Sequence, residues 1–127
     1  MAKKSKEAVE HLDARVLDVL IDTVAARHRE FSDGATSESR TVKLFTAGVP
    51  KIAQKVGEEA TETIIEAVRG KKKLLVEESV DLLYHLTVLW AACDVPATQV
   101  WAEIAKRHGL PEELERAMRE ASKQSEQ

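Results

Sequence analysis

"KVGEEATETIIEAVRG", residues 55–70, sets Glu58, Glu62 and Glu66 four residues apart, with Glu59 beside the first. On a helix these acids share one face, and each like-charge i, i+4 pair costs roughly 0.2–0.5 kcal/mol. A stripe serving solubility alone would alternate Glu with a downstream Lys. At ~100° per residue, Ile52, Val56, Ala60, Thr63 and Ala67 gather on one side. Lys51, Lys55, the four acids and Arg69 gather on another, with Glu59 at the border nearest the apolar side. The segment is therefore an amphipathic helix from about 50 to 69. Pro50 fits its first turn, where a missing N–H costs nothing, and Gly70 fits the C′ position beyond its end.

Working outward, "KKLLVEESVDLLYHLTVLWAA" (72–92) is apolar almost all round, which predicts a central, buried helix. Upstream, residues 7–31 repeat Leu12, Val16, Val19 or Leu20, and Val24 at helical spacing and predict a long amphipathic helix. The polar stretch "SDGATSESR" (32–40) predicts a loop, and "TVKLFTAG" a short helix ending at Gly48. Downstream, "CDVP" breaks the chain, Pro96 starts a helix over "ATQVWAEIAKRH" to Gly109, and Pro111 starts "EELERAMREAS". No strand-like alternation of any length occurs. These patterns predict an all-α protein, an antiparallel bundle of four to five helices joined by short connections. Residues 1–127 read as one domain with a motif core at about 41–108, and with residues 1–6 and 122–127 flexible at the ends.

The chain has 127 residues, enough for a single hydrophobic core. Hydrophobic residues are 43% and charged residues 32%, which excludes wholesale disorder, and the scarcity of aromatics (4%) argues against a β-sandwich. A net charge of −3 gives no reason to expect nucleic-acid or anionic-membrane binding. Cys93 stands alone, which excludes an internal disulfide and a cysteine zinc cluster, and in "LWAACDV" it reads as a small core residue. No segment approaches the ~18 uninterrupted apolar residues of a membrane span, and the N-terminus lacks an apolar leader core. A cytoplasmic protein is the expectation.

Glu78, Asp81 and His85 fall on one side of the 72–92 helix, in line with Leu74, Leu75, Leu82 and Leu89, while Glu77 points elsewhere. An isolated buried charge costs several kcal/mol or more, so such carboxylates must neutralise or acquire a cation. Glu59 and Glu62 are i, i+3 on one helix, and Glu78 and Asp81 are i, i+3 on the other. Facing antiparallel helices can converge all four on one point, and an all-oxygen site suits Mg²⁺, with Mn²⁺ as a substitute, rather than zinc. Open coordination positions would face substrate phosphates, with Lys51, Lys55 and Lys71–Lys73 supplying positive charge.

Each element also has a plainer reading. Glu58, Glu62 and Glu66, with Lys55 and Arg69, would by themselves form a solvated helix face. Glu78 and Asp81 can be salt-bridged to a neighbouring helix. His85 can be a core histidine bonded to a carboxylate or lie behind the metal ligands, and Trp90 and Trp101 read as core or subunit-interface anchors. Gly57, costing ~1 kcal/mol in a helix interior relative to Ala, predicts a close packing contact.

Glu-Glu-x-x-Glu (58, 59, 62) followed by Glu-x-x-Asp (78–81) resembles the signature of the all-α NTP pyrophosphatase, or MazG-like, superfamily. "KIAQKVGEEATETIIEA", "EESVDLLYHLTVL" and "SRTVKLFTAGVPKIAQK" more closely resemble the phosphoribosyl-ATP pyrophosphohydrolase family of histidine biosynthesis, over residues of about 12 to 108. The resemblance implies Mg²⁺-dependent hydrolysis of phosphoribosyl-ATP to phosphoribosyl-AMP and pyrophosphate. It implies Glu59, Glu62, Glu78 and Asp81 as metal ligands and Glu58 as the group that orients or deprotonates the attacking water. Lys51 and Lys55 would hold phosphate oxygens, and a homodimer or higher even-numbered assembly would complete the bundle. The length leaves no room for a fused second enzyme, and the terminal extension after His108 carries no inference about chemistry. Two other functions remain open: a house-cleaning (deoxy)nucleoside triphosphate pyrophosphatase of the same superfamily, and a non-enzymatic helical interaction module.

Overall fold

The structure is a computed structural model and describes residues 10, 12–35, 38–108 and 112–125. Six helices, and no strand, occur among them: α1 (Arg15–Ser32), α2 (Arg40–Ala47), α3 (Val49–Val68), α4 (Lys72–Ala92), α5 (Ala97–His108) and α6 (Glu112–Ser125). The all-α class expected from the sequence is the class observed. The chain divides into two compact units, one ending at Val95 and the other beginning at Pro96.

In the first unit, α3 and α4 make the most extensive helix contact, α1 packs on α2 and α4, and α2 packs on both long helices. Three residues join α3 to α4, so their lengthwise contact makes them an antiparallel hairpin. Gly70, with φ +72°, makes that turn possible. The Lys71 N–H donates to the Glu66 carbonyl at 3.0 Å and the Gly70 N–H to that of Ala67 at 3.1 Å, the two bonds of a Schellman cap. At the other end of α3, Gly48 takes φ +95° and ψ 169°, which turns the chain from α2 into α3 without a break longer than one residue. Pro50 lies in the first turn of α3, as its missing N–H favours.

Each of the four helices contributes one residue to the buried cluster: Val24, Phe45, Ile52 and Val88. Ile52 and Val88 are 0% exposed and mark the inner end of the α3–α4 seam. Burying such a side chain contributes roughly 1.5–3 kcal/mol. His85, Thr87 and Val88 are the buried residues of α4, all in its second half.

Several expectations change. The first helix does not run unbroken from residue 7, because Leu12 has φ +42° and lies exposed outside α1. The Asp13 carboxylate instead accepts the Arg15 backbone N–H at 3.0 Å, an Asx-type turn that starts the helix afresh. α4 is not buried all round, since Leu74, Val76 and Val80 face outward in its first half and Leu83 just past its middle. Cys93 is exposed, because α4 ends at Ala92 and the cysteine caps it. A Cβ on Gly57 would meet nothing within 4 Å, so the expected close contact is absent among the described residues. Helix α6 continues to Ser125 through the expected frayed tail. The expected flexibility of residues 1–6 and 126–127 lies outside the described residues.

In the second unit, α5 ends on Lys106, Arg107 and His108, whose positive charge complements the carbonyl end of the helix dipole. Ala97, Val100, Trp101 and Ala105 are its half-buried side chains.

Candidate active site

Glu59 is one heptad after Ile52 on α3, and Asp81 is one heptad before Val88 on α4. Seven residues are two helical turns, so both acids return to the seam that the two core residues occupy, roughly 10 Å further along it. Glu78, one turn before Asp81, comes to the same place. One carboxylate oxygen from each of Glu59, Glu78 and Asp81 lies within 4.8 Å of the others, and all three residues are half-buried. Glu62 borders this trio from a more exposed position, close enough for its carboxyl to raise those of both Glu59 and Glu78.

The electrostatics show how closely the acids are held. Hydrogen bonding to Glu62, burial and the Glu62 and Glu59 charges push the Glu78 carboxyl up to about 7. Burial, with Glu62 and Asp81 adding repulsion, raises Glu59 from its ordinary 4.5, while its bond with Glu78 pulls it back. Even so, Oε2 of Glu59 and Oε2 of Glu78 are buried with no hydrogen-bond partner. Such orphaned oxygens in a carboxylate set fit a hard cation. Ligand oxygens about 2.1 Å from Mg²⁺ would stand roughly 3–4.2 Å apart, close to the spacing present.

Glu58 is turned out of this group. Gln54 Nε2 donates to it at 2.8 Å and Lys55 Nζ lies 3.3 Å away, and these two contacts hold its carboxyl below the ordinary range. Lys55 is thus paired within α3, and Lys51 is exposed one turn earlier. Lys71–Lys73 are exposed at the opposite, turn end of the hairpin. Glu66, which reads as surface in the sequence, has a side chain only 12% exposed; Arg69 pairs with Oε1 at 3.0 Å and Oε2 has no partner.

His85 is 0% exposed and does not reach a carboxylate. Its Nδ1 lies 2.7 Å from the Asp81 backbone carbonyl and its Nε2 3.4 Å from Arg40 Nη2. Arg40 Cζ sits 5.4 Å from the Tyr84 ring centroid, and the Tyr84 hydroxyl bonds Thr41 Oγ1. Sequence periodicity passes over Arg40 and Tyr84. The only signal for them is a lone arginine leading "RTVKLFTAG" and an aromatic next to His85.

The helical hairpin and the acids gathered on its seam define an all-α protein with a candidate acidic metal site. Residues 24–108 match the pattern of the phosphoribosyl-ATP pyrophosphohydrolase family. A phosphoribosyl-ATP pyrophosphatase of Azospirillum brasilense is 53% identical over 103 residues, 80% of this chain and 88% of its own. One of Paramagnetospirillum magneticum is 48% identical over 97 residues, 76% and 85% of the two chains. One of Parvibaculum lavamentivorans is 45% identical over 107 residues, 84% and 94%. The chain belongs to the phosphoribosyl-ATP pyrophosphohydrolase family.

Proposed function

We propose that this enzyme hydrolyses phosphoribosyl-ATP between its α and β phosphates, with Mg²⁺, giving phosphoribosyl-AMP and pyrophosphate for histidine biosynthesis in the cytoplasm. The observation that carries the reading is the convergence of Glu59, Glu78 and Asp81, with two buried carboxylate oxygens left unbonded. Glu62 completes the set from its border position. A bound Mg²⁺ would supply neutralising charge for the triphosphate.

The remaining work falls to side chains. Lys51 and Lys55 bind phosphate oxygens at the end of the cluster remote from the Arg69–Lys71 turn. The Lys55–Glu58 pair is open to solvent and weak, as surface ion pairs are, so a phosphate readily takes Lys55 from Glu58. Glu58, ionised throughout the working range and still held by Gln54, then accepts a proton or a hydrogen bond from the attacking water. His85 supports this arrangement from beneath by bonding the Asp81 backbone.

A homodimer completes the fold in this reading. Ile64, Ile65, Val68, Val76, Val80 and Leu83 are exposed on the outer half of the α3–α4 hairpin, where a second copy would cover them. Sedimentation of the purified chain tests this, and a monomer at micromolar concentration would refute it.

Turnover of phosphoribosyl-ATP with Mg²⁺ or with EDTA, followed by phosphorus NMR, tests the reaction. Metal-dependent release of pyrophosphate is expected. Faster turnover of deoxynucleoside triphosphates would make the enzyme a house-cleaning pyrophosphatase, and metal-independent behaviour would remove the catalytic role of the acids.

A further inference from the structure

Arg40 is exposed at the start of α2, yet its guanidinium is held at two points. One is the face of Tyr84 and the other is Nε2 of His85. The second contact has a defined polarity. A backbone carbonyl only accepts, so His85 Nδ1–H donates to Asp81 and Nε2 keeps the lone pair that accepts from Arg40. Both supports are themselves fixed: His85 is fully buried, and the Tyr84 hydroxyl is tied to the buried Thr41.

Arginine presents five N–H donors in a planar fork. The imidazole takes one and the tyrosine takes a face, which leaves an edge of the fork toward solvent. Among the described residues no carboxylate pairs with Arg40, whereas Arg15, Arg27, Arg69 and Arg107 each pair with a near neighbour in sequence. An oriented guanidinium without an anion is prepared for one that arrives with a ligand.

Its position indicates which. Tyr84 and His85 lie about one turn beyond Asp81 along α4, a rise of roughly 5 Å. Because the hairpin is antiparallel, this is the same end of the acid cluster at which Lys55 and Lys51 lie on α3. Arg40 thus brings a third cation, from a third helix, to that end.

We infer that Arg40 is a phosphate-binding residue for the substrate, with His85 and Tyr84 as its positioning residues. The inference rests on the proposed substrate, which carries phosphate at two places, the triphosphate and the ribose 5-phosphate. Either offers the planar oxygen pair that the guanidinium edge recognises.

Arg40→Met, an exposed change, tests it in the full-length protein with Mg²⁺. KM is expected to rise roughly 10–100-fold, the loss of a charge-assisted contact, with kcat within about threefold. Arg40→Lys should recover only part, since an ammonium cannot present the fork. Inhibition by inorganic pyrophosphate and by ribose 5-phosphate separates the two sources, because only the inhibitor that mimics the bound phosphate weakens in the variant. Tyr84→Leu should raise KM in the wild-type background and add little to Arg40→Met, as positioning through Arg40 requires. Unchanged KM and unchanged inhibition by both compounds in Arg40→Met would overturn the inference, and additivity of the two variants would overturn the positioning role. If the wild-type enzyme does not turn over phosphoribosyl-ATP, the substrate assignment fails separately. Calorimetric binding of pyrophosphate and ribose 5-phosphate to wild type and Arg40→Met then decides the role of Arg40, equal affinities refuting it.

Discussion

Glu59 on α3 and Glu78 on α4 bring carboxylate oxygens within 4.8 Å of each other across the hairpin seam, and each keeps a buried Oε2 with no hydrogen-bond partner. Two helices that pack well through Ile52 and Val88 are thus held at their middle by acids that repel when ionised. The unliganded protein bears that repulsion, and a cation relieves it.

Replacing one acid should therefore separate stability from activity. Glu78→Gln removes a charge but keeps a hydrogen-bonding side chain of the same length. The metal-free protein is expected to melt at a higher temperature than wild type, and Mg²⁺ should no longer raise that temperature. Turnover should fall roughly a hundredfold or more, since losing even a neighbour that supports a metal ligand costs about 10–100-fold. Calorimetric melting with and without Mg²⁺, beside a rate assay, checks all three. A lower metal-free melting temperature would show that the cluster stabilises the fold by itself.

The same carboxyl sets a pH dependence. Glu78 titrates at about 7 in the folded protein against an ordinary value of 4.5. Its folded value is raised, so its contribution to stability is complete below 4.5 and is lost as pH rises through about 7. Glu59 shifts in the same direction. Between about pH 5 and pH 8 the metal-free wild type should lose stability relative to Glu78→Gln measured alongside it. Mg²⁺ binds the ionised acids, so saturating metal should flatten or reverse the trend. Parallel curves for wild type and variant in EDTA would contradict the assignment.

Glu58 behaves oppositely. Gln54 is the larger cause of its lowered value and Lys55 the next. Gln54→Leu should raise Glu58 toward 4.5. If Glu58 must be ionised to serve the attacking water, the acid limb of kcat/KM moves to higher pH, while the plateau changes little. A pH–rate profile measured down to about pH 4 checks it, and an unmoved acid limb would leave Glu58 without that role.

The fold was legible because heptad and 3.6-residue spacings mark helices wherever one face is buried, as Ile52, Val56 and Ala60 mark α3. The acids stood out for the same reason, since Glu78 and Asp81 interrupt an apolar pattern that has no other use for them. What the pattern hid was tertiary. Whether Leu74 or Val80 is covered depends on a neighbouring surface that composition does not name, and the chain break at Leu12 arises from one Asp13 carboxylate turning back on Arg15. Arg40 was invisible because its partners lie 44 and 45 residues away on another helix. Gly57 misled because a helix-interior glycine implies a close neighbour only if one approaches.

Two glycines on and beside α3 should consequently respond in opposite ways to the same change. Gly57 lies mid-helix with open space around its Cα, so Gly57→Ala adds a methyl group that meets nothing and removes backbone freedom from the unfolded chain. It should stabilise by about 0.5–1 kcal/mol. Gly48 has ordinary room for a Cβ, with Pro50 Cδ 3.9 Å away, but its φ of +95° and ψ of 169° belong to a region that L-residues avoid. Gly48→Ala should destabilise by about 1–3 kcal/mol through backbone strain alone. Urea unfolding of both variants, compared at equal slope, gives the two signs. A Gly57→Ala protein that is more stable but binds pyrophosphate less well would place ligand, rather than protein, against that glycine. Loss of stability in Gly57→Ala would instead mean that a second copy of the chain packs there.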